Sequence, residues 1–213
     1  EPYRRQRQMC IRDRKMFRRH IIQLGNTGVY VIYDELEGKE AVTWSYLLHT
    51  VELPMEIQEL TDEVKVTGRN KAGGISVAHL FSSAKTEQAM VDTFFCAPTN
   101  WKNVTNAQGK AVKYPNHWHF TATSEKAQVY RFATVINTHA LKYPAKDPEI
   151  LSDGRIKVGG WLISVNLKSD GAPSFFIRST QEKVNITYKG EATVINEDGY
   201  ETVMRDTVPE LEI

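Results

Sequence analysis

The chain has few of the features that mark several common protein classes. Its 213 residues include only two cysteines, Cys10 and Cys96, too few for the disulfide framework of a small secreted domain. No apolar run approaches the roughly 20 residues that a membrane-spanning helix needs, and almost no segment has the apolar period of an amphipathic helix. These absences argue against a disulfide scaffold, a helical membrane protein and a helix bundle.

The first 14 residues differ from the rest of the chain. They read EPYRRQRQMCIRDR and contain five arginines, Cys10 and no apolar periodicity. The MCIRDR portion resembles translated sequencing-adapter sequence at the ends of metagenomic reading frames, so we interpret residues 1–14 as a non-native leader. The competing hypothesis is a genuine basic arm that binds nucleic acid or another polyanion.

Charge is nearly balanced in the remainder. The whole chain carries 27 basic and 26 acidic residues, whereas residues 15–213 carry 22 basic and 24 acidic residues, a net charge of −2. Such a body has no overall basic field to attract a polyanion. We therefore expect neither a nucleic acid nor a membrane as partner. Cys96 follows Thr-Phe-Phe, a pattern typical of a buried apolar residue rather than a nucleophile.

From residue 20 onward, apolar and polar residues alternate with a period of two, and turn residues follow at short intervals. This pattern predicts an all-β fold of stacked antiparallel sheets, similar to a β-sandwich. Residues 20–24 and 29–36 flank the glycine-rich loop 25–28 and predict a hairpin. Residues 117–123 and 128–138 predict a second hairpin.

The proline-containing segment 143–148 predicts a domain boundary. Residues 15–142 are then the C-terminal part of a central β-sandwich domain, and residues 143–213 a small C-terminal β-sheet domain. Segments 28–32 and 129–136 are apolar on both faces, as strands in the middle layer of an assembly are. Because a small two-sheet module leaves one face in water, we expect the covering layers to lie outside this chain.

Three residues are candidates for substrate binding. His117 and His119 alternate along one strand, so both imidazoles share a face and could meet at a metal ion. With no third ligand nearby in sequence, we predict no metal site and favour packing or hydrogen bonding to backbone. Trp101 lies in the long polar loop 98–116, where its ring either stacks on a sugar or covers the sheet. Trp118 and Phe120 are predicted core residues.

Asp34 and Glu35 are adjacent carboxylates, a pairing that suggests acid–base chemistry. Neighbouring strand residues point to opposite faces of a sheet, so we predict that the two do not act as a pair. Arg18 and Arg19 lie on the preceding strand. The two arginines either contact a polyanion or are solvated residues at the start of a strand. The second interpretation is the simpler one.

Five motifs, taken in order, resemble the heparinase II/III-like polysaccharide lyases. They are Phe17-Arg18-Arg19-His20, VYVIYDELE at 29–37, WSYLLH at 44–49, NHWHF at 116–120 and Arg131-Phe132. Their order and spacing carry the resemblance, because each motif alone is unspecific. It spans most of residues 16–140, and residues 150–213 are similar, more weakly, to the small C-terminal sheet domain of the same proteins.

The resemblance implies an α-helical toroid followed by β-sheet layers, and β-elimination of uronic-acid polysaccharides such as heparin or heparan sulfate by tyrosine and histidine. It places the catalytic residues, and the zinc site of some members, before Phe17 in chain order. We therefore expect no catalytic residue, metal or cofactor in this chain. The implied partner is an acidic polysaccharide, bound by the full-length enzyme, and the implied location is periplasmic or secreted. The oligomeric state is not predicted.

Two other hypotheses stay open. A stand-alone carbohydrate-binding β-sandwich module would act through Trp101 and nearby aromatic residues. A genuine basic arm at residues 1–14 would make the chain a binder of anionic polymers, with an affinity that falls as salt rises. The upstream nucleotide sequence discriminates among them: a frame that continues into a helical region favours the lyase, and a start codon with a signal peptide before Lys15 favours the binding module.

Overall fold

The computed structural model describes residues 14–51, 53–92, 106–110, 117–140, 142 and 147–205. These residues form sixteen β-strands. In chain order the strands are β1 (Arg14–Gln23), β2 (Val29–Val42), β3 (Ser45–Val51), β4 (Glu56–Glu59), β5 (Val64–Arg69), β6 (Gly74–Ser82), β7 (Thr86–Val91), β8 (His117–Ser124), β9 (Ala127–Ala140), β10 (Glu149–Ile150), β11 (Ile156–Val158), β12 (Trp161–Val165), β13 (Ser174–Ser179), β14 (Val184–Lys189), β15 (Ala192–Glu197) and β16 (Tyr200–Arg205). Among the described residues, no helix is long and apolar enough to cross a membrane.

The strands form three antiparallel sheets. The six-stranded sheet has the order β1-β2-β9-β6-β5-β4, and the three-stranded sheet has the order β3-β8-β7. The seven-stranded sheet runs from β10 to β16 in chain order. The predicted all-β fold of stacked antiparallel sheets is therefore confirmed.

The six-stranded sheet is the middle layer, because its inner strands β2, β9 and β6 place buried residues in apolar clusters on both faces. Its strand β2 places Val31 and Tyr33 in one apolar cluster, together with Ile163 and Ile177 of the seven-stranded sheet. We call this cluster the seven-sheet core. It buries one face of the middle sheet, and the loss of water contact at this face stabilises the stack.

The opposite face of the middle sheet packs on the three-stranded sheet. Leu80 of β6 and Phe132 of β9 belong to a second apolar cluster with Tyr46 of β3 and Phe120 of β8. We call this cluster the three-sheet core. Strands of the middle layer that are apolar on both faces thus occupy the position that their sequence indicates.

The layers that cover the middle strands belong to this chain, whereas the sequence analysis expected them to lie outside it. For β2 and β9, the sheets that cover the two faces are the three-stranded and seven-stranded sheets of this same chain. The expectation that external layers are needed is therefore wrong for these strands. The sequence pattern shows that both faces are apolar, but it does not show which strands cover them.

The second predicted hairpin is also wrong. Strand β8 pairs with β3 and β7, whereas β9 pairs with β2 and β6. The short connection at Glu125 and Lys126 leads the chain from the three-stranded sheet into the middle sheet. As a result, Phe120 of β8 and Phe132 of β9 lie in one core between two sheets rather than on one sheet face.

The first predicted hairpin is present, and it joins β1 to β2. Gly28 in its loop has a φ of +73°, and a Cβ at this position would lie 2.6 Å from the carbonyl oxygen of Thr138. The Thr138 amide donates to the Gly28 carbonyl at 2.9 Å. Only glycine allows both the left-handed backbone and this close approach to β9.

Buried polar contacts also tie the seven-stranded sheet to the middle sheet. The Tyr33 hydroxyl donates to the carbonyl oxygen of Asn166 at 2.8 Å, and the buried Arg131 guanidinium donates to the carbonyls of Asn166, Lys168 and Gly171. The change of sheet falls between Ala140 and Glu149, near the proposed boundary. The division at 142/143 stays a prediction, because the two parts share the seven-sheet core.

Candidate functional site

Three histidines lie on two paired strands of the three-stranded sheet. His49 of β3 is directly opposite His119 of β8 in the antiparallel register. Their ring centroids are 4.3 Å apart, and the ring planes are at 87°. His117 lies two residues before His119, on the same side of β8. We call His49, His117 and His119 the histidine face.

The predicted alternation along β8 is confirmed. Phe120 is fully buried in the three-sheet core, and Trp118 packs against that core. His117 and His119 therefore point away from the middle sheet and are partly buried, while His49 is exposed. The two histidines chosen from the sequence share a face, and the fold adds His49 to them.

Partial loss of solvent beside its neighbours lowers the pKa of His49 from its ordinary value of 6.5, and His119 and His117 lower it further through charge repulsion. A proton on one imidazole disfavours a proton on the next, because two cations would lie close together. The neutral form of His49 is therefore favoured near neutral pH. A neutral imidazole can accept a hydrogen bond from a hydroxyl or donate one to a carboxylate.

Metal binding finds no support in the part of the chain that is described. Within it, no group of three or more His, Cys, Asp or Glu side chains is arranged to hold a metal ion. Trp101, the third residue chosen from the sequence, lies outside the described residues. Its proposed contact with a sugar stays a prediction.

A depression of about 680 Å³ lies next to the histidine face, at one end of the stack. His49, Arg69, Asn70, Ser76 and His139 are among the residues that line it. Imidazole, guanidinium, amide and hydroxyl groups are those that bind carboxylates and sugar hydroxyls. The depression is open, so a group placed there would keep contact with water.

The carboxylates of Asp34 and Glu35 point to opposite faces of β2, as predicted, and each has its own partners. The Arg19 guanidinium donates to both Asp34 oxygens, at 2.6 and 2.7 Å. Its charged plane also lies 5.4 Å from the Tyr46 ring centroid, a cation–π distance. The hydrogen bond to Asp34 raises the pKa of Arg19, so the guanidinium keeps its charge.

Glu35 belongs to a second network, on the side of the seven-stranded sheet. Its carboxylate lies 3.1 Å from Nε2 of His20 and 3.6 Å from the Arg18 guanidinium. Arg18 in turn donates to the Tyr188 hydroxyl at 2.6 Å and to the carbonyl of Gly190 at 2.9 Å. Since Glu35 is only 1% exposed, its charge needs these partners to remain buried.

A third network lies where the chain enters the seven-stranded sheet. The buried His79 imidazole is 2.8 Å from Glu63 through Nδ1 and 3.9 Å from Asp147 through Nε2. Lys65 completes it with an ion pair to Asp147 at 2.5 Å. The network ties β5 and β6 to the segment just before β10.

Four tyrosines of the described chain have raised pKa values because they are buried. Burial raises the pKa of Tyr33 to about 12, and it also raises those of Tyr46, Tyr130 and Tyr188. Hydrogen bonding to Glu35 raises the Tyr188 pKa further. These hydroxyls hold their protons at neutral pH and are poorly suited to act as bases there.

The sequence analysis did not identify His49 as the partner of His119 or His20 as the partner of Glu35. Alternation shows which residues share a face of one strand, but the partner across the ladder depends on which strands pair. His49 ends the WSYLLH motif and His20 ends the FRRH motif, so their positions in these motifs were the available signal.

Comparison of the chain with models of known protein families and with curated proteins finds no match.

Proposed function

We propose that this chain is the non-catalytic β-sheet scaffold of a polysaccharide lyase that cleaves uronic-acid glycans by β-elimination. In that reaction a base removes the C5 proton of the uronate, the C4–O4 bond breaks, and a C4–C5 double bond forms while the leaving oxygen gains a proton. The reaction needs an accessible base and a group that neutralises the uronate carboxylate.

The position of the motifs supports the proposal. The FRRH motif on β1 pairs with the YDE segment of β2, and Arg131-Phe132 on β9 pairs with the other edge of β2. Leu48 and His49, at the end of the WSYLLH motif on β3, pair with Phe120 and His119 of the NHWHF motif on β8. Segments that are far apart in sequence and that together resemble one family therefore form adjacent strands.

One observation supports the scaffold role most directly: the carboxylates of the YDE motif are buried and paired with basic side chains inside the stack. Asp34 and Glu35 are each 1% exposed, and both are bound to basic groups of β1. Buried, paired charges hold strands in one register. At 1% exposure, neither carboxylate is accessible to a bound polysaccharide.

The test is an elimination assay on the purified chain with heparin and heparan sulfate, followed by the ultraviolet absorbance of unsaturated uronate ends. We expect no increase, while an active lyase in a parallel reaction gives one on the same substrates. An increase that disappears in His117→Ala or His119→Ala would place an active site on this chain and refute the proposal.

A second measurement tests the parent enzyme. The genomic reading frame upstream of Phe17 should encode a helical region with tyrosine and histidine, and the longer protein should form unsaturated ends. A start codon and a signal peptide immediately before Lys15 would instead support an independent binding module.

A further inference from the structure

The outer face of the seven-stranded sheet, turned away from the middle sheet, has an exposed aromatic ring near its centre. On β13, Phe175 and Ile177 are buried in the seven-sheet core. Phe176 lies between them, points to the opposite side and is 41% exposed. A phenylalanine at a solvated sheet position offers its ring to a ligand.

Small polar residues flank this ring on both sides. In the antiparallel register, Phe176 is opposite Ser164 of β12 and Thr187 of β14. All three line a surface depression of about 500 Å³, together with Ser174 and Lys189. The hydroxyls stand beside the ring, where they can bond to the hydroxyls of a stacked sugar.

Two cations border the same ring. Arg178 lies two residues from Phe176 on β13, and Lys189 lies two residues from Thr187 on β14. Strand residues two apart share a face and are about 7 Å from each other. Both cations are exposed, and neither forms an ion pair with any other described residue.

We propose that Phe176, Ser164, Thr187, Arg178 and Lys189 form a binding surface for an anionic oligosaccharide with uronate residues. The ring stacks on the apolar face of a sugar, and the two cations bind carboxylate or sulfate groups on either side of it. The choice of uronate as the anionic sugar rests on the proposed function, whereas the ring and the cations are independent of it.

Single-stranded nucleic acid also combines flat rings with negative charge, and it is the competing ligand. The residues next to the ring favour a sugar. Ser164 and Thr187 present short hydroxyls beside a single aromatic ring, whereas strand binding uses successive rings that stack successive bases. Single-stranded DNA therefore serves as a competitor in the test.

The experiment measures the binding of a heparin-derived oligosaccharide of defined length to the chain by titration calorimetry. We expect Phe176→Ala to raise Kd about two- to tenfold. Phe176→Leu keeps an apolar side chain without a ring and should weaken binding similarly, while Phe176→Trp should retain it. Arg178→Ala and Lys189→Ala should each weaken binding and lower the slope of log Kd against log salt by about one.

Matched variants control for general effects. Phe17→Ala removes a ring that is 52% exposed on β1, and Lys126→Ala removes an exposed cation between β8 and β9. Both should leave Kd unchanged, and a neutral glucose oligosaccharide of equal length should bind more weakly than the heparin oligosaccharide. Thermal melting of every variant verifies that it is folded.

Three outcomes would overturn this inference: no binding of the heparin oligosaccharide, binding that Phe176→Leu and Arg178→Ala leave unchanged, or stronger binding of single-stranded DNA. None of them involves elimination, so each leaves the scaffold proposal standing. Conversely, formation of unsaturated ends by the chain refutes the scaffold proposal and leaves this surface untouched.

Discussion

The guanidinium of Arg19 donates two hydrogen bonds to the carboxylate of Asp34, one from Nε and one from a terminal nitrogen. The two residues are directly opposite each other in the β1–β2 register. The pair lies beneath Tyr46 of the three-stranded sheet. The bidentate contact therefore joins β1 to β2, and the cation–π contact of Arg19 with Tyr46 joins both strands to the sheet that covers them.

Removal of Arg19 should destabilise the protein more than removal of a surface arginine. Arg19→Ala leaves the buried Asp34 carboxylate without its partner, and we expect a loss of about 2–3 kcal/mol in the free energy of unfolding. Arg19→Lys should recover only part of it, because an ammonium cannot bind both oxygens in the plane of the carboxylate. Urea unfolding measures both losses.

The matched control is Arg155→Ala. Arg155 also contacts a carboxylate: its Nε and a terminal nitrogen both lie 2.7 Å from Oδ2 of Asp153, but both side chains are about half exposed. We expect little change in stability, since solvent screens such pairs. Equal losses for Arg19→Ala and Arg155→Ala would contradict the role assigned to the buried pair.

A substitution that creates a cavity in the seven-sheet core should destabilise both the seven-stranded sheet and the middle sheet. Ile163 is fully buried there, against the middle sheet, and Ile163→Ala should cost about 2–5 kcal/mol. Because the core is shared, amide hydrogen exchange should accelerate in β2 and β9 as well as in β13 and β14. Faster exchange confined to residues 149–205 would show two independently stable domains instead.

Acidification should destabilise the fold through His49. Its pKa in the folded state is lowered from 6.5, so the unfolded chain binds a proton that the folded chain resists. Stability attributable to His49 is complete above about pH 6.5 and is lost as pH falls below it toward the lowered folded pKa. His49→Gln should reduce the fall in Tm with pH in this window. At about pH 8, where both states hold a neutral imidazole, the difference between variant and wild type gives the baseline; an unchanged pH dependence relative to that baseline would contradict the prediction.

Alkaline conditions should destabilise the fold through the buried tyrosines. The pKa of Tyr33 is raised from 10.0 to about 12, so the unfolded chain loses this proton first. The contribution is fully present below about pH 10 and declines as pH rises toward 12. Tyr33→Phe should flatten the loss of unfolding free energy over this range, at the cost of the hydrogen bond to Asn166. A slope identical to that of the wild type would refute the assignment.

The alternation of apolar and polar residues predicted the fold class and much of the local geometry. It placed Asp34 and Glu35 on opposite faces, put His117 and His119 on one face, and marked β2 and β9 as strands of a middle layer. These properties follow from the period of two along an extended chain, which needs no knowledge of neighbouring strands.

In the seven-stranded sheet, alternation along the sequence was not enough to predict every strand or to tell which face of a strand is buried. Strand β16 was not predicted, although Asp198-Gly199 before it has positive φ at both residues, as a tight hairpin turn requires. Phe175 and Phe176 necessarily point to opposite faces. Which of the two rings is buried depends on the face of the sheet that meets the middle layer.

By itself, the sequence determined that this is an all-β chain and which side chains share a face of each strand. The tertiary structure decided that β8 and β9 belong to different sheets, that His49 meets His119, and that two sheets of this same chain cover β2 and β9. The physical reason is that side-chain alternation is set within each strand, whereas register and layering depend on contacts between segments far apart in sequence.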